Sequence, residues 1–167
     1  MSALPSLAQI SQLPLNFEGR VGAEHLDFLG HMNVMWYTHF FDRATWNWYN
    51  AFGFGHDYHQ PPDGSFAVEQ YTRYLAELRE GEEFRICSRA LARNEKLFHF
   101  MHFMVRSRDN ALSAIHELLG IHVDMVTRKA SPLPQATAQL WDQLLEEHNQ
   151  LDWEPPISGA LSVDKNA

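Results

Sequence analysis

The chain has 167 residues, which is enough for one ordinary domain with short tails but too few for two full hydrophobic cores. Hydrophobic residues make up 45% of it and charged residues 20%, a composition that excludes a disordered chain. The formal net charge of −8 argues against a general binder of nucleic acids or anionic membranes, because such proteins present a basic face.

Along the chain, the first predicted elements are a short strand and a long helix. Residues 1–16 have no assigned element and form an N-terminal extension, whereas residues 19–25 predict a short strand. Residues 33–52 predict a helix, because apolar residues recur at three- and four-residue spacing between the N-cap residue Asn33 and the helix stop Gly53. Apolar residues cover most of its circumference, so we expect this helix to be buried on most sides.

Four strands and a second helix are predicted after a loop rich in Gly and Pro. The strands cover residues 66–74, 84–93, 97–105 and 111–126, and the helix covers residues 135–149. Residues 97–105 (LFHFMHFMV) are apolar nearly throughout, as in a strand that is covered on both faces. Gly120 predicts a bulge or bend in the last strand, and the tail beyond Pro156 is expected to be mobile.

This order of elements predicts the α+β class, with a curved antiparallel β-sheet wrapped around a central α-helix and an extra C-terminal helix. We divide the chain into the N-terminal extension (1–16), a main domain (17–134) and a C-terminal helix with its tail (135–167). A sheet around one helix is expected to leave an apolar face uncovered near residues 97–105, which predicts a homodimer or homotetramer.

Several features together predict a soluble protein of the cytoplasm. The single cysteine, Cys87, excludes an internal disulfide and a cysteine-rich zinc site. No stretch approaches the ~20 consecutive apolar residues of a membrane span. The N-terminal residues lack the basic leader and compact apolar region of a secretory signal. We therefore expect neither a membrane nor a nucleic acid as partner.

The stretch most informative about chemistry is HLDFLGHMNVMWY, at residues 25–37. It places Asp27 in a tight, glycine-containing loop directly before the predicted helix. The first turn of a helix offers unpaired backbone N–H groups and a partial positive charge, which would stabilise the oxyanion formed when a carbonyl is attacked. A carboxylate beside it can activate water as a general base or attack the carbonyl itself. The loop can therefore supply both parts of an acyl-transfer site.

The same residues resemble a known signature. The segment DFLGHMNVMWY, with Tyr37 ten residues after Asp27, is similar to the motif of 4-hydroxybenzoyl-CoA thioesterase-like hotdog proteins. Later segments resemble that family as well, namely SFAVEQYTRYLAELREGEEF, LFHFMHFMV and GIHVDMVTRKASPLP. Together they span residues 17–134, which is most of the chain.

This resemblance implies a hotdog fold that assembles as a dimer or tetramer and hydrolyses acyl-CoA thioesters. The family places its active site at the dimer interface and uses no separate cofactor. The aspartate that matches Asp27 is its catalytic carboxylate, and the backbone at the helix start, including Gly30, polarises the carbonyl. Some relatives carry Gly–Ile where this chain has Gly30–His31, so the role of His31 as a catalytic residue is not fixed by the family.

Each of these residues also has a purely structural interpretation. Asp27 could simply cap the following turn. His31 could orient the water or the substrate carbonyl, or it could only form a hydrogen bond with the loop. Asn33 is a candidate for contact with substrate but is more typical of an N-cap, and Tyr37 could line the acyl pocket or belong to the core.

Basic residues of the third predicted strand could bind the coenzyme. Arg85, Arg89 and Arg93 share one strand face, and Lys96 follows closely. Arg93 and Lys96 rank first as contacts to the CoA phosphates, because they lie nearest the turn where members of the resembled family contact the nucleotide. For Arg85 and Arg89 the pattern favours an ordinary solvated face.

The ten histidines do not predict a metal site. On a strand, His99 and His102 point to opposite faces, which prevents joint coordination. His56 and His59 form the other close pair, in the segment His56-Asp57-Tyr58-His59, but no further ligand follows at a recognisable spacing.

Two other functions remain open on this fold. One is a hydratase or dehydratase, although the chain lacks the D-x-N-P-x-H run found in one group of those enzymes. The other is a non-catalytic module that binds acyl-CoA or an acyl carrier, with Asp27 in a structural role. The acyl group itself is open among aryl, medium-chain and trimethylammonium types, because aromatic residues of the long helix could border any of them.

Overall fold

A computed structural model describes residues 3–56 and 58–164. The helices are α1 (Leu7–Ile10), α2 (Val34–Ala51) and α3 (Gln135–Asn149). The strands are β1 (Leu15–Arg20), β2 (Asp63–Tyr74), β3 (Glu83–Arg93), β4 (Leu97–Arg106), β5 (Leu112–Asp124) and β6 (Lys129–Ala130).

The strands form one antiparallel sheet in the order β1-β3-β4-β5-β2, and β6 pairs with the end of β5. Helix α2 lies against the inner face of this curved sheet and buries seven of its 18 residues. The predicted α+β arrangement of a sheet wrapped around one helix is therefore confirmed. The C-terminal helix is confirmed as well, with the bounds that the sequence predicts.

Phe41 lies at the centre of the contact between α2 and the sheet. Its side chain is fully buried, and its ring stacks on the ring of His116 at a centroid distance of 4.7 Å. The ring of His102 lies 5.9 Å away and nearly parallel to it. The phenyl ring thus anchors α2 to both β4 and β5.

A chain of hydrogen bonds crosses the core from β1 to α2. The Asn16 amide donates to Ser88 Oγ at 2.7 Å, and Ser88 Oγ donates to His102 Nδ1 at 2.6 Å. Nε2 of His102 donates to Thr45 Oγ1 at 2.8 Å, because the Thr45 proton goes to the Phe41 carbonyl oxygen. Burial holds the pKa of His102 well below its usual value, so the ring is neutral and every member of the chain is satisfied.

The first strand lies earlier than the sequence pattern predicts, so the prediction of a strand over residues 19–25 is wrong in its position. Phe17 decides where β1 lies, because its ring packs on Phe40 and Phe84 at centroid distances of 5.6 and 6.1 Å. Residues Ala23–His25, which the prediction included in the strand, form a 3-10 turn.

The predicted bulge lies in the neighbouring strand rather than at Gly120. The register shifts in β2, between Ala67 and Glu69, and this shift is directly opposite Gly120 of β5. Position 120 takes a glycine for a different reason, since the Phe98 ring lies where a Cβ atom would be. The glycine therefore lets an aromatic ring pack flat against β5.

The outer face of the sheet is covered by the two ends of the same chain. All ten residues of β4 are buried. Ile10 from the N-terminal segment and Trp153 from the C-terminal segment pack against the outer side of the sheet. The expectation of an uncovered apolar face is therefore wrong for residues 97–105 themselves, because sequence periodicity does not show which distant segments cover a strand.

Residues 157–164 of the C-terminal tail pack against the sheet, so the prediction of mobility beyond Pro156 is wrong there, and residues 165–167 lie outside the described residues. The Ser158 N–H donates to Glu117 Oε2 at 2.8 Å, and the Asn94 amide donates to the Val163 carbonyl at 2.7 Å. These bonds, together with burial of Val163, hold the tail along β4 and β5.

Arg89 and His148 connect β3 to helix α3. Nδ1 of His148 accepts the Ala90 N–H at 2.8 Å. The Arg89 guanidinium donates to the carbonyls of His148 and Trp153 and lies 4.3 Å from the centre of the Trp153 ring. Arg89 is only 5% exposed, so the expectation of a solvated face is wrong at this position.

We expect this contact to make stability depend on pH. Burial, with a smaller contribution from Arg89, lowers the pKa of His148 from 6.5 to about 4. The neutral His148 ring therefore contributes fully to the free energy of unfolding above pH 6.5. This contribution is lost as the pH falls toward 4, because the unfolded chain takes up the proton first. This loss amounts to up to about 3 kcal/mol, since one pKa unit corresponds to about 1.4 kcal/mol.

His148→Asn keeps an acceptor near the Ala90 N–H but cannot be protonated there. Its Tm should therefore fall less than that of the wild type between pH 7 and pH 4.5, as measured by circular dichroism. His39→Asn, which changes an exposed histidine, is the control and should follow the wild type. Equal slopes for all three proteins would contradict this account.

Candidate functional site

The loop before α2 is a tight turn that starts at Asp27, as the sequence predicts. The Gly30 N–H donates to the Asp27 carbonyl at 3.1 Å, and the Asp27 N–H donates to the His31 carbonyl at 3.0 Å. Gly30 has a φ of +83°, a left-handed conformation that favours glycine. Leu26 and Met32 pair on either side of the turn and close it.

The two carboxylate oxygens of Asp27 have different surroundings. Oδ1 accepts the Leu29 N–H at 2.8 Å, so this oxygen stabilises the turn. Oδ2 lies 3.4 Å from Nδ1 of His31. The Asp27 side chain is 19% exposed and the His31 side chain is 33% exposed, so both are accessible to a small molecule. The structural interpretation of Asp27 accounts for one oxygen and leaves the other facing His31.

The helix that follows begins as predicted. Oδ1 of Asn33 accepts the Met35 N–H at 3.0 Å, so Asn33 is the N-cap of α2. The N–H of Gly30 is used within the turn, as is that of Asn33, which donates to the His25 carbonyl. Any oxyanion site here would therefore depend on the other amides at the start of α2 and on its dipole.

A cleft of about 370 Å³ lies beside this turn, between the start of α2 and the end of β2. His31 and Tyr37 both line it, so the structure brings these two predicted site residues together. Tyr37 is buried and contacts the ring of Tyr74 edge-on at 5.1 Å. Burial raises the pKa of Tyr37 to about 12, which keeps its hydroxyl protonated at neutral pH.

Arg93 and Lys96 lie at the other end of the sheet. Strand β3 starts near the Asp27 turn and ends at Arg93, and its 11 residues correspond to roughly 35 Å of strand. Arg93 donates to both carboxylate oxygens of Asp142 on α3, at 2.7 and 2.5 Å. Lys96 is exposed in the turn that follows. Within one chain, the structure does not bring these two residues to Asp27.

A second cavity, of about 380 Å³, lies between α2 and the strands β2 and β5. Its walls include four aromatic rings, those of Trp46, Tyr49, Phe66 and Phe98, and the carboxylate of Asp42. Asp42, Phe66 and Phe98 are not predicted as site residues from the sequence, whereas Trp46 and Tyr49 belong to the aromatic residues of the long helix that were expected to border an acyl group. Asp42, Trp46 and Tyr49 recur at positions i, i+4 and i+7 of the predicted helix, and this spacing could have indicated a shared face. The other aromatic residues of that helix do not line the cavity.

The histidine pairs do not form a joint site in the described residues. His99 bonds to Glu117 at 2.8 Å on the outer side of the sheet, whereas His102 bonds to Thr45 on the inner side. His59 bonds to Ser65 and Gly55, and Asp57 lies outside the described residues. Among residues 3–56 and 58–164, no group of three His, Cys, Asp or Glu residues is arranged to hold a metal ion.

Within the part of the chain that the structure describes, no helix is both long enough and apolar enough to cross a bilayer.

The amino-acid sequence matches a known protein family and one curated relative. The profile of the Thioesterase-like superfamily matches residues 21–140. A curated relative, the L-carnitine dehydrogenase/betainyl-CoA thioesterase of Agrobacterium fabrum (strain C58 / ATCC 33970), is 26% identical over 127 residues. The match covers 76% of this chain and 26% of that protein, so the chain spans about a quarter of the length of this relative.

Two solved structures have the same architecture. A hypothetical protein from Staphylococcus aureus in complex with CoA superposes with a TM-score of 0.79 at 18% identity, over 90% of this chain and 96% of that one. A DHNA-CoA thioesterase from Staphylococcus aureus superposes with a TM-score of 0.75 at 13% identity, over 83% and 95%. At these identities the likeness concerns the fold alone, and it confirms the predicted hotdog fold. Because the family profile covers most of the sequence, the chain belongs to the Thioesterase-like superfamily.

Proposed function

We propose that this chain hydrolyses an acyl-CoA thioester to free CoA and a carboxylic acid, with Asp27 as the catalytic carboxylate. The observation that supports this most directly is the position of Asp27 Oδ2. This oxygen is not used by the turn, faces His31 and lies at the N-terminal end of α2. Membership of the superfamily and the thioesterase relative are consistent with this chemistry.

In the proposed reaction, the thioester carbonyl lies at the start of α2, where the helix dipole stabilises negative charge on its oxygen. As a general base, Asp27 takes a proton from water while the water oxygen attacks the carbonyl carbon. As a nucleophile, Asp27 attacks the carbonyl carbon with its own carboxylate oxygen and forms an anhydride, which water then hydrolyses. In either route the carbon–sulfur bond breaks, and the CoA thiolate leaves and is protonated.

His31 and Tyr37 have positioning roles in this proposal. Nδ1 of His31 lies close enough to Asp27 Oδ2 to orient the carboxylate or the attacking water. Tyr37 forms the wall of the cleft opposite β2, where it can contact the acyl thioester. Gly30 contributes through its left-handed conformation, which lets the turn place Asp27 before the helix.

Strand β2 supports the proposal that the active form is a dimer. It pairs with β5 on one side, and no strand among the described residues pairs with its other side. Apolar side chains along this 12-residue edge are more than 40% exposed, namely those of Phe66, Val68, Tyr71 and Tyr74. A long apolar edge is a template for pairing with another strand, and we infer that β2 of a second copy occupies it.

Antiparallel pairing of two β2 strands about a two-fold axis would also complete the site. The Asp27 turn and its cleft lie near the Tyr74 end of β2, whereas the aromatic cavity lies near the Ser65 end. The two-fold axis places the Tyr74 end of one copy beside the Ser65 end of the other. Asp27 of one copy then faces the aromatic cavity of its partner.

The antiparallel pairing of the two β2 strands would also bring Arg93 and Lys96 of one copy toward the site of the other. Through the strand register, Arg93 pairs with Phe98, Phe98 with Gly120, and Gly120 with Ala67 near the start of β2. The Arg93 end of one copy therefore approaches the Asp27 turn of the other. We propose that Arg93 and Lys96 bind the phosphates of a CoA molecule that crosses the interface. The buried free thiol of Cys87 suits a reducing compartment, so we place the reaction in the cytoplasm.

Asp27→Asn should lower kcat by at least about 100-fold, because the amide cannot accept a proton or attack a carbonyl. The amide can still accept the Leu29 N–H, so Tm and the binding of acyl-CoA should change little. Thiol release from a panel of acyl-CoAs gives the rate, and Asp152→Asn, at an exposed site, is the matched control. Wild-type kcat in Asp27→Asn would exclude Asp27, and binding without thiol release by the wild type would indicate a binding module.

Val68→Lys should convert the dimer into an inactive monomer, because a lysine on an edge strand opposes pairing with another strand. Analytical ultracentrifugation at micromolar concentration measures the assembly, and thiol release measures the activity. Ile157→Lys changes a β-branched residue with the same 46% exposure on the C-terminal tail and should leave the dimer intact. A wild-type protein that is monomeric and active would contradict the proposal.

Arg93→Ala and Asp142→Ala both remove the ion pair between β3 and α3, but only the first removes the guanidinium group. If Arg93 binds CoA, KM should rise in Arg93→Ala and not in Asp142→Ala, because phosphate binding is uniform in ground and transition states. Lys96→Ala should act as Arg93→Ala does. An N-acetylcysteamine thioester, which lacks the nucleotide, should be insensitive to all three changes. Equal effects of Arg93→Ala and Asp142→Ala would assign Arg93 to the docking of α3 alone.

A further inference from the structure

We propose that the cavity between α2 and β2 binds the acyl group and selects acyl groups that carry a positive charge, such as a quaternary ammonium. This inference rests on the proposed thioesterase function and adds the class of substrate. It is carried by three properties of the cavity: its aromatic walls, its single acidic side chain, and the direction of the hydrogen bonds at two of its hydroxyls, those of Thr45 and Ser65.

Aromatic rings from three elements meet at the cavity. Trp46 and Tyr49 come from α2, Phe66 from β2 and Phe98 from β4. Trp46 remains 41% exposed and lies edge-on to Tyr49 at a centroid distance of 6.1 Å. The faces of such rings carry partial negative charge, and they attract cations most strongly in a desolvated site. The Phe66 ring already contacts one cation outside the cavity, the Arg128 guanidinium, at 5.2 Å.

The charge of the cavity is negative. Asp42 is the one acidic residue among the described residues that line it, and none of those residues is lysine or arginine. Burial lowers the pKa of His116, which also lines the cavity, to about 4, so this ring is neutral at pH 7. His39 also lines the cavity, on the exposed surface of α2, and its ring packs edge-on against Trp36 at 5.2 Å. A bound cation would meet the carboxylate of Asp42, with no lysine or arginine side chain among the described residues of the lining.

Two hydroxyls in the polar wall, those of Ser65 and Thr45, present lone pairs rather than protons, whereas Thr38 and Gln70 also line the cavity and carry donors of their own. Nδ1 of His59 lies 2.8 Å from the Gly55 carbonyl oxygen, which can only accept, so this nitrogen carries the proton. Burial lowers the pKa of His59, and its neutral Nε2 then accepts the proton of Ser65 Oγ at 2.6 Å. The Ser65 hydroxyl therefore has only acceptor capacity left for a ligand.

Thr45 extends this arrangement deeper into the cavity. Its hydroxyl proton is given to the Phe41 carbonyl at 2.9 Å, and its oxygen accepts from His102. Neither hydroxyl can donate to a carboxylate or a phosphate on the acyl group. An anionic acyl group would be repelled by the Asp42 carboxylate, which disfavours it. The volume of about 380 Å³ lies at the lower end of ligand cavities, which suits a short acyl chain.

A pair of isosteric substrates separates charge from shape. Betainyl-CoA carries a trimethylammonium group two bonds from the carbonyl, and 3,3-dimethylbutyryl-CoA replaces its nitrogen with carbon. The two acyl groups have the same shape and differ by one charge. We expect the wild type to prefer betainyl-CoA in kcat/KM by about tenfold or more, as a desolvated cation beside aromatic rings and a carboxylate would give.

The positive charge also makes the thioester more reactive, so the preference must be compared between variants. Asp42→Asn should reduce the ratio of the two kcat/KM values about tenfold, because only betainyl-CoA loses an attraction to the carboxylate. Trp46→Leu should reduce the same ratio, since leucine keeps an apolar wall without the ring quadrupole. Glu146→Gln removes one negative charge on the exposed face of α3 and should leave the ratio unchanged.

The outcomes also separate this inference from the proposed function. If the wild type hydrolyses both substrates and Asp42→Asn leaves their ratio unchanged, the cavity does not select a cation, although the thioesterase proposal stands. If Glu146→Gln changes the ratio as much as Asp42→Asn does, the effect is one of overall charge, and the inference is wrong. If Asp42→Asn fails to fold, the ratio of the two kcat/KM values in Trp46→Leu tests the inference instead, and an unchanged ratio would contradict it. If the wild type releases thiol from no acyl-CoA, the proposed function itself fails.

Discussion

The packing of the buried Phe41 ring against two neighbouring, neutral imidazole rings is the contact on which the rest of the structure depends. It fixes α2 to β4 and β5 at the centre of the sheet. The two rings can serve as flat apolar surfaces only while they are neutral, and hydrogen bonds to Thr45 and Thr72 hold them in place. Because the middle of α2 is held in this way, its N-terminus and its exposed face both occupy fixed positions. The turn of Asp27 lies at the N-terminus of α2, and the aromatic cavity lies along its exposed face.

The sequence was sufficient to predict the elements whose residues interact locally. The spacing of apolar residues and the cap at Asn33 predict α2 to within one residue at its C-terminal end, and α3 is predicted with the bounds observed. The turn at Gly30 is also local, because it depends on one left-handed glycine and two backbone bonds. For this reason the position of Asp27 could be predicted from a short motif.

Features that depend on distant segments could not be predicted in the same way. The pattern of residues 97–105 indicates burial on both faces, but it does not reveal that Ile10 and Trp153 supply the cover. The charges of Arg89 and Arg93 indicated a solvated face or a ligand contact, whereas both side chains bond to α3, and Arg89 also bonds to the Trp153 carbonyl. The aromatic cavity likewise requires α2, β2, β4 and β5 together, and only the face of α2 leaves a signal in one stretch of sequence.

The covering of the sheet by both chain ends has a consequence for how the molecule forms and opens. Trp153 donates its indole N–H to Gln12 at 3.1 Å, a contact between residues 141 positions apart in the chain. Contacts of such separation form late in folding, so the sheet and α2 must be in place before this outer layer can close over them. The layer is also the part most easily released as a unit, since it lies outside the central contact of α2 with the sheet. A molecule that has lost it would retain its inner core but expose the apolar outer surface of β4, a ready site for aggregation.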